Sequence, residues 1–409
     1  MTHPIIRLED YERFIGAEAI ARIQRKARPL ADAHVTHINA TYYGGGVAEI
    51  LSSLTLLMNS VDIPTEWRVL LGSPDFFAFT KKMHNALQGA PLKLSDITQQ
   101  IYEDVIAENA LRNHFDHDII VVHDPQPLPL ITHYKKKSPW IWRCHIDLSH
   151  PHRELWSYLV PFIERYDAVI LSIREYAQPL STPQVFFMPA IDPFTTKNRA
   201  LTETEMDERL AHYHIPTDLP LVVQVSRFDP WKDPLGVIQA FKLAQKEIDA
   251  TLVLLGNFAS DDPEGIEIFE ALQDQREDRI LILPAGDDTA LVNTLQRRAA
   301  VVLQKSTREG FGLTITEAMW KGTPVIGGNV GGIRYQIQDG VNGFLVSSVE
   351  QAAARIVHLI RHPELRERMG RQAQETVRQH FLLTRLLEQE VELFTSFETS
   401  FRLKSYPGI

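Results

Sequence analysis

The chain has 409 residues with 42 basic against 52 acidic side chains, a net charge of -10, and 44% hydrophobic residues. That length exceeds what one hydrophobic core serves and points to two domains, while the acidic balance argues against a nucleic-acid partner held by phosphate neutralisation. The lone Cys144 excludes an internal disulfide and a cysteine-rich zinc site, and the stretch Met1 to Asp10 lacks the apolar core of a signal peptide; with no long apolar run elsewhere, a soluble cytoplasmic protein is expected.

In chain order, a charged N-terminal segment gives way to a short strand at His34–Ile38, a glycine turn at Gly44-Gly45-Gly46 and an apolar-periodic helix from Val47 to about Asn59. Strands are expected at 67–71, 119–122, 140–144 and 168–171, with helical stretches between them, the pattern of a parallel sheet flanked by helices. Their continuous apolar character says that both faces are covered. The pattern restarts at 221–225 and continues at 251–256, 280–283, 301–303 and 324–327, so a second doubly wound domain is expected, with the boundary between Pro189 and Leu219. From Pro363 to about Phe397 the chain reads as helical and charged, long enough to cross back over the first domain. No internal repeat or low-complexity tract interrupts this plan.

Ligands of open parallel sheets sit beyond the carboxyl ends of the strands, so the loops there carry the functional reading. Gly44-Gly45-Gly46 before a helix offers free N–H groups to a phosphate, although such a turn serves structure as readily. Arg227 and Lys232 follow the first strand of the second half; they either clamp a diphosphate or pair on the surface with Asp229 and Asp233. In Arg308-Glu309-Gly310-Phe311-Gly312-Leu313-Thr314-Ile315-Thr316-Glu317, a helix starting at about Leu313 places Glu309 before it and Glu317 one turn inside. That spacing suits two hydroxyl clusters of one extended ligand; in the plainer reading Glu309 caps its own helix and Glu317 is solvated. His123-Asp124-Pro125-Gln126 and Arg143-Cys144-His145-Ile146-Asp147 close two first-half strands, and His145 on its own reads as a core histidine. Met83 to Gly89, with His84 and Asn85, reads as a polar insertion that either lines an acceptor pocket or does not. His114-Phe115-Asp116-His117 reads as a solvated turn rather than a metal site, and Lys135-Lys136-Lys137 as an exposed helix end.

Taken in order, Gly44 to Val47, His145, Ser226-Arg227-Phe228 with Lys232, Glu309 to Leu313 with Glu317, and Gly331-Gly332 resemble the retaining glycosyltransferases of the GT-B fold in glycosyltransferase family 4. Within it, His84 to Gly89, His123 to Gln126, Trp142 to Asp147, Ser226 to Lys232 and Arg308 to Lys321 resemble the trehalose glycosyltransferring synthases of thermophilic archaea and bacteria. The N-terminal residues and the tail after Phe394 carry little of the likeness.

The resemblance implies an α/β architecture of two doubly wound Rossmann-like domains: an acceptor-binding domain over 1–195, a nucleotide-sugar-binding domain over 196–375, and a C-terminal helix over 376–409 that packs back on the first. It implies transfer from ADP- or UDP-glucose to glucose, giving trehalose. Arg227 and Lys232 would hold the diphosphate, Glu317 the ribose, Glu309 the donor sugar, and the backbone of Gly310, Phe311, Gly312 and Leu313 the rest of that pocket. His145 would contact the glucose near the reacting centre, Gly45 and Gly46 would approach the distal phosphate, and His84, Asn85, Asp124, Gln126 and Asp147 are the acceptor candidates. His145, Arg227, Lys232 and Glu309 would carry catalysis. No cofactor or metal is required, with Mg²⁺ at most a modulator, and no nucleic acid or membrane enters; a homodimer is implied. A trehalose phosphorylase using inorganic phosphate, a glucosyltransferase for another small acceptor, and a non-catalytic nucleotide-sugar-binding protein are the alternatives.

Overall fold

The structure, a computed structural model, describes residues 6–42, 45–257 and 263–405. The chain divides into two compact units, one formed by the residues through Ala190 together with the segment from Leu383 onward, the other by Ile191–Leu382.

In the first unit six strands form one sheet: β1 (Val35–Asn39), β2 (Thr65–Val69), β3 (Ile119–His123), β4 (Trp140–Cys144), β5 (Ala168–Leu171) and β6 (Gln184–Phe186). Their order is β2-β1-β3-β4-β5-β6, and each paired neighbour runs parallel. Parallel neighbours need long crossovers, which the helices Gly46–Asn59, Pro74–Leu87, Asp96–Arg112 and Arg153–Ile163 help to provide. Strands β1, β3, β4 and β5 are buried along their whole length, as their apolar runs require, and Trp142, Phe76 and Tyr102 lie in the core on one side of the sheet. The edge strand β2 begins and ends two residues before the apolar run expected at 67–71; beyond its end Leu71 is off the ladder, its N–H donating to Asn109 Oδ1 at 2.9 Å and its side chain exposed.

The second unit repeats the plan with β7 (Leu221–Val225), β8 (Thr251–Leu255), β9 (Ile280–Leu283), β10 (Ala299–Gln304), β11 (Val325–Gly328) and β12 (Gly343–Val346), all paired parallel in the order β12-β11-β10-β7-β8-β9. The expectation of two doubly wound parallel sheets is therefore met. Strands β6 and β12 complete the sheets at their edges; at three and four residues, neither stands out as an apolar run.

The order of strands decides where a ligand can lie. The chain changes direction across the sheet between β1 and β3 in the first unit and between β7 and β10 in the second, and the loops leaving the carboxyl ends of those strands frame a crevice.

The stretch read as helical from Pro363 to about Phe397 is formed by two helices, Pro363–His380 and Leu383–Ser405. The break has a backbone cause: the Phe381 carbonyl accepts the N–H of Ile191 at 2.9 Å, and Ile191 bridges to Leu382. The helix Leu383–Ser405 belongs to the first unit, where Glu388 pairs with Arg22 and Lys26 and Glu390 pairs with Arg143. Among the described residues, no helix is long and apolar enough to cross a membrane.

Candidate active site

In the second unit, the loop after β7 carries Arg227 and Lys232 and the loop after β10 carries Glu309, so the expected cations and the first carboxylate come from the two strands that flank the change of direction. The structure joins them directly: Lys232 Nζ is ion-paired with Glu309 Oε2. Glu309 also accepts from Ser306 Oγ at 3.2 Å, and the Thr307 N–H donates to the Trp231 carbonyl at 2.8 Å, so the two loops are tied through side chains and backbone. The Lys232 carbonyl accepts from Gln224 Nε2, inside β7, at 2.8 Å, which anchors the lysine from below. Arg227 differs. Its side chain is 58% exposed, and among the described residues its ion pair is a 3.4 Å contact with Asp229 Oδ2.

Beyond Glu309 the chain enters the helix Leu313–Trp320, as the glycine pattern predicts. Gly312 is the N-cap at φ +89°, a conformation that needs glycine. The backbone of Gly310 to Leu313 thus stands at the positive end of a helix. Gln336 holds this turn, donating to the Phe311 carbonyl at 2.6 Å while accepting from Thr316 Oγ1 at 2.6 Å. Gly332 makes room for it, because a Cβ there would stand 2.5 Å from Phe311 Cα and 2.7 Å from the Gly310 carbonyl oxygen. Glu317 lies one turn inside the helix and, contrary to the solvated reading, is buried, with Lys197 Nζ 3.4 Å from its carboxylate. Asp233, assigned by the plainer reading to a surface pair with the expected cations, instead caps the helix Pro234–Ala244 and pairs with the buried Lys305.

In the first unit, Gly45 at φ +108° is the N-cap of the helix Gly46–Asn59 that follows β1, with open space where a side chain would stand. Gly44 lies outside the described residues. Asp124 and Gln126 follow β3, and His145 and Asp147 follow β4. Asp124 takes a left-handed backbone conformation at φ +60°, and its Oδ1 accepts the His145 N–H at 2.8 Å, so this carboxylate sets the path of the loop bearing His145. Burial pushes Asp124 up to about 7, against the opposing pull of that N–H and of Arg143. Asp147 Oδ1 is engaged by the backbone and hydroxyl of Ser149. His84 and Asn85 do not lie in a polar insertion: they occupy the last turn of the helix Pro74–Leu87, whose Met83, Ala86 and Leu87 are core residues. That helix end adjoins the loop after β4, since the Ala86 carbonyl accepts from His152 N at 2.9 Å.

Several neighbours of these residues carry no signal of their place in the sequence. Arg143, at the end of β4, is fully buried against Glu390, and His123 is buried between His37 and His145. Nothing in a linear reading links Arg143 to Glu390, 247 positions away. Among the described residues, no group of three or more His, Cys, Asp and Glu side chains is placed to hold a metal ion. His117 instead pairs with Glu66 at 2.6 Å.

Residues 37–178 match the family described as trehalose synthase, N-terminal domain, and residues 205–376 match glycosyl transferases group 1. The trehalose synthase of Pyrococcus horikoshii is 45% identical over 95% of this chain and 96% of its own length. The trehalose phosphorylase of Pleurotus pulmonarius is 28% identical over 84% of this chain and 54% of its own length. Among solved structures, α,α-trehalose 6-phosphate synthase from Burkholderia multivorans superposes with a TM-score of 0.72 over 92% of this chain and 99% of that one; at 14% identity it shares the fold and nothing more. Two Rossmann-like sheets, a cation and two carboxylates at the second change of direction, and near full-length identity above 40% converge: the chain belongs to the trehalose synthase family of GT-B glycosyltransferases.

Proposed function

We propose that the chain transfers glucose, with retention, from ADP- or UDP-glucose to the anomeric hydroxyl of glucose, giving α,α-trehalose, and that the reaction is reversible. The observation that carries this reading is the ion pair of Lys232 with Glu309 across the second change of strand direction, with Glu317 in the helix that the same loop begins. A nucleoside diphosphate sugar has a dianionic bridge between two hydroxyl-bearing rings. In this reading Lys232 and Arg227 take the diphosphate, Glu309 the hydroxyls of the glucosyl group, Glu317 the ribose, and the N–H groups at Gly310 to Leu313 the remaining oxygens.

The chemistry follows. The bond from the glucosyl anomeric carbon to the diphosphate oxygen breaks while the acceptor's anomeric oxygen adds to the same face, and the departing phosphate oxygen takes the acceptor's hydroxyl proton. Negative charge grows on the diphosphate, where Arg227 and Lys232 stabilise it more in the transition state than in the ground state. No metal is required for that step in this reading. In the first unit, His145 contacts glucose, Asp124 positions His145, and Gln126, His84, Asn85 and Asp147 remain the candidates for holding the acceptor.

Incubation of the protein with trehalose and, separately, ADP, UDP or inorganic phosphate tests it. Nucleoside diphosphate is expected to yield NDP-glucose and glucose; cleavage with phosphate alone would replace this reading with that of a phosphorylase.

A further inference from the structure

Three imidazoles lie in line inside the first unit. His37 Nδ1 is 3.0 Å from His123 Nε2, and His123 Nδ1 is 3.0 Å from His145 Nε2. They come from β1, the end of β3 and the loop after β4, three adjacent strands of the sheet. At the inner end, His37 Nε2 stands 4.0 Å from Glu390 Oε2, while the other oxygen of Glu390 pairs with Arg143. His37, His123, Arg143 and Glu390 are buried, and His37 Nε2, Glu390 Oε2 and Arg143 Nη2 have no hydrogen-bond partner among the described residues, so the imidazole and the carboxylate oxygen stand 4.0 Å apart with no competing partner there.

A neutral imidazole has one N–H and one lone pair, so in such a line each ring donates at one nitrogen and accepts at the other, and the state of one ring sets all three. Two orders are available. With every proton on Nε2, His37 points its N–H at the Glu390 carboxylate. With every proton on Nδ1, it points a lone pair at Glu390, which burial pushes toward its neutral form and the paired Arg143 holds as a carboxylate, and in a dry interior that is repulsive. A charged ring is opposed as well. Burial first, and Arg143 second, hold His37 down at about 3; burial, then the neighbouring imidazoles and last Arg143 keep His123 well below the ordinary range, and burial with Arg143 does the same for His145.

We propose that the Arg143–Glu390 pair, acting through His37 and His123, fixes His145 in its Nε2–H tautomer, so that Nδ1 presents a lone pair and His145 serves as a hydrogen-bond acceptor for a sugar hydroxyl. His37 and His123 are then positioning residues. The role at the sugar rests on the function proposed above, whereas the tautomer is read without substrate.

Long-range proton–nitrogen NMR on the full-length protein labelled with ¹⁵N-histidine, with signals assigned through His37→Gln and His145→Phe, reports the tautomer directly. His145 is expected to carry its proton on Nε2 and none on Nδ1 from about pH 8 to about pH 6; a proton on Nδ1, or an imidazolium in that range, overturns the assignment. His37→Phe cuts the line and is expected to give mixed His145 tautomers and about a tenfold fall in kcat, with KM for the donor held within about twofold. His37→Gln, whose amide can accept from His123 and donate toward Glu390, is expected to restore the Nε2–H form and most of kcat. Loss of kcat in both variants with an unchanged His145 tautomer overturns the positioning role. If the tautomer is as expected but His145→Phe retains full turnover, the sugar contact fails while the tautomer assignment stands.

Discussion

Lys232 Nζ and Glu309 Oε2 form an ion pair that joins the loop after β7 to the loop after β10. The ammonium is thereby held over the change of strand direction, and in the proposed reading it is already oriented for a diphosphate. Removing either partner should disturb the other. Lys232→Ala is expected to lower kcat/KM for glucosyl transfer about 10²- to 10³-fold, the scale of losing one preorganised electrostatic group. Steady-state kinetics with varied NDP-glucose, alongside a thermal melt showing that the fold is retained, check this.

Among the described residues Arg227 is ion-paired at 3.4 Å with Asp229 alone, and it is mostly exposed, so it contributes little to stability. Arg227→Ala should leave the unfolding free energy within about 0.5 kcal/mol of the parent. Its effect belongs to the transition state, with kcat falling more than KM rises. An effect confined to KM contradicts that role.

The buried histidines predict an acid-sensitive first unit. His37 is held at about 3 in the folded chain and returns to about 6.5 when unfolded. Between these values the unfolded chain binds a proton that the folded one does not, so the stability contributed by the neutral ring is present above about 6.5 and lost as pH falls toward about 3. Asp124, raised to about 7, acts oppositely: its contribution is complete below about 3.8 and lost as pH rises through about 7. His37→Gln should reduce the dependence of stability on pH between about pH 6 and 4 by up to about 1.4 kcal/mol per pH unit, as read from urea unfolding across that range.

The pair Arg143–Glu390 separates stability from positioning. Glu390→Leu leaves a guanidinium buried without its counter-charge and should cost about 3–5 kcal/mol, whereas Arg143→Met with Glu390→Leu should recover most of that loss. Urea unfolding of the two variants measures the difference.

Gly332→Ala places a methyl against Phe311 Cα and the Gly310 carbonyl, both closer than van der Waals contact allows. The turn that carries Glu309 must then shift, and KM for the donor is expected to rise about tenfold, a loss on the order of 1.4 kcal/mol of binding, with the melting temperature falling only slightly. Unchanged donor KM would show that the turn tolerates the displacement.

The strands that carry the site could be read in the sequence because parallel strands covered on both faces are unbroken apolar runs, and the loops after them because their polar residues follow at once. Glu309, Gly312 and Glu317 were legible for the same reason: their relation is local, set by one turn and the start of one helix. Lys197 beside Glu317, Gln336 on the Phe311 carbonyl, and Arg143 against Glu390 were not, since each pair is joined only by the folded chain. His84 and Asn85 misled by their polarity; the core residues Met83, Ala86 and Leu87 on the other face of the same turn show the helical period that was missed. The break at Phe381 and Leu382 has no glycine or proline to mark it, because it is imposed by a hydrogen bond from Ile191.

That hydrogen bond has a consequence for the chain as a whole. Ile191 and Leu382, the first and last residues of the second unit, sit side by side in a β-bridge. The second unit therefore enters and leaves at one point, as an insertion into a chain whose own core closes around it in sequence. Such a segment has neighbouring termini and a core of its own, the two conditions under which a domain can be cut out, permuted or exchanged without unpicking a sheet. If the second unit holds the donor as proposed, donor recognition can be replaced as a cassette, with the imidazole line of the first unit left intact.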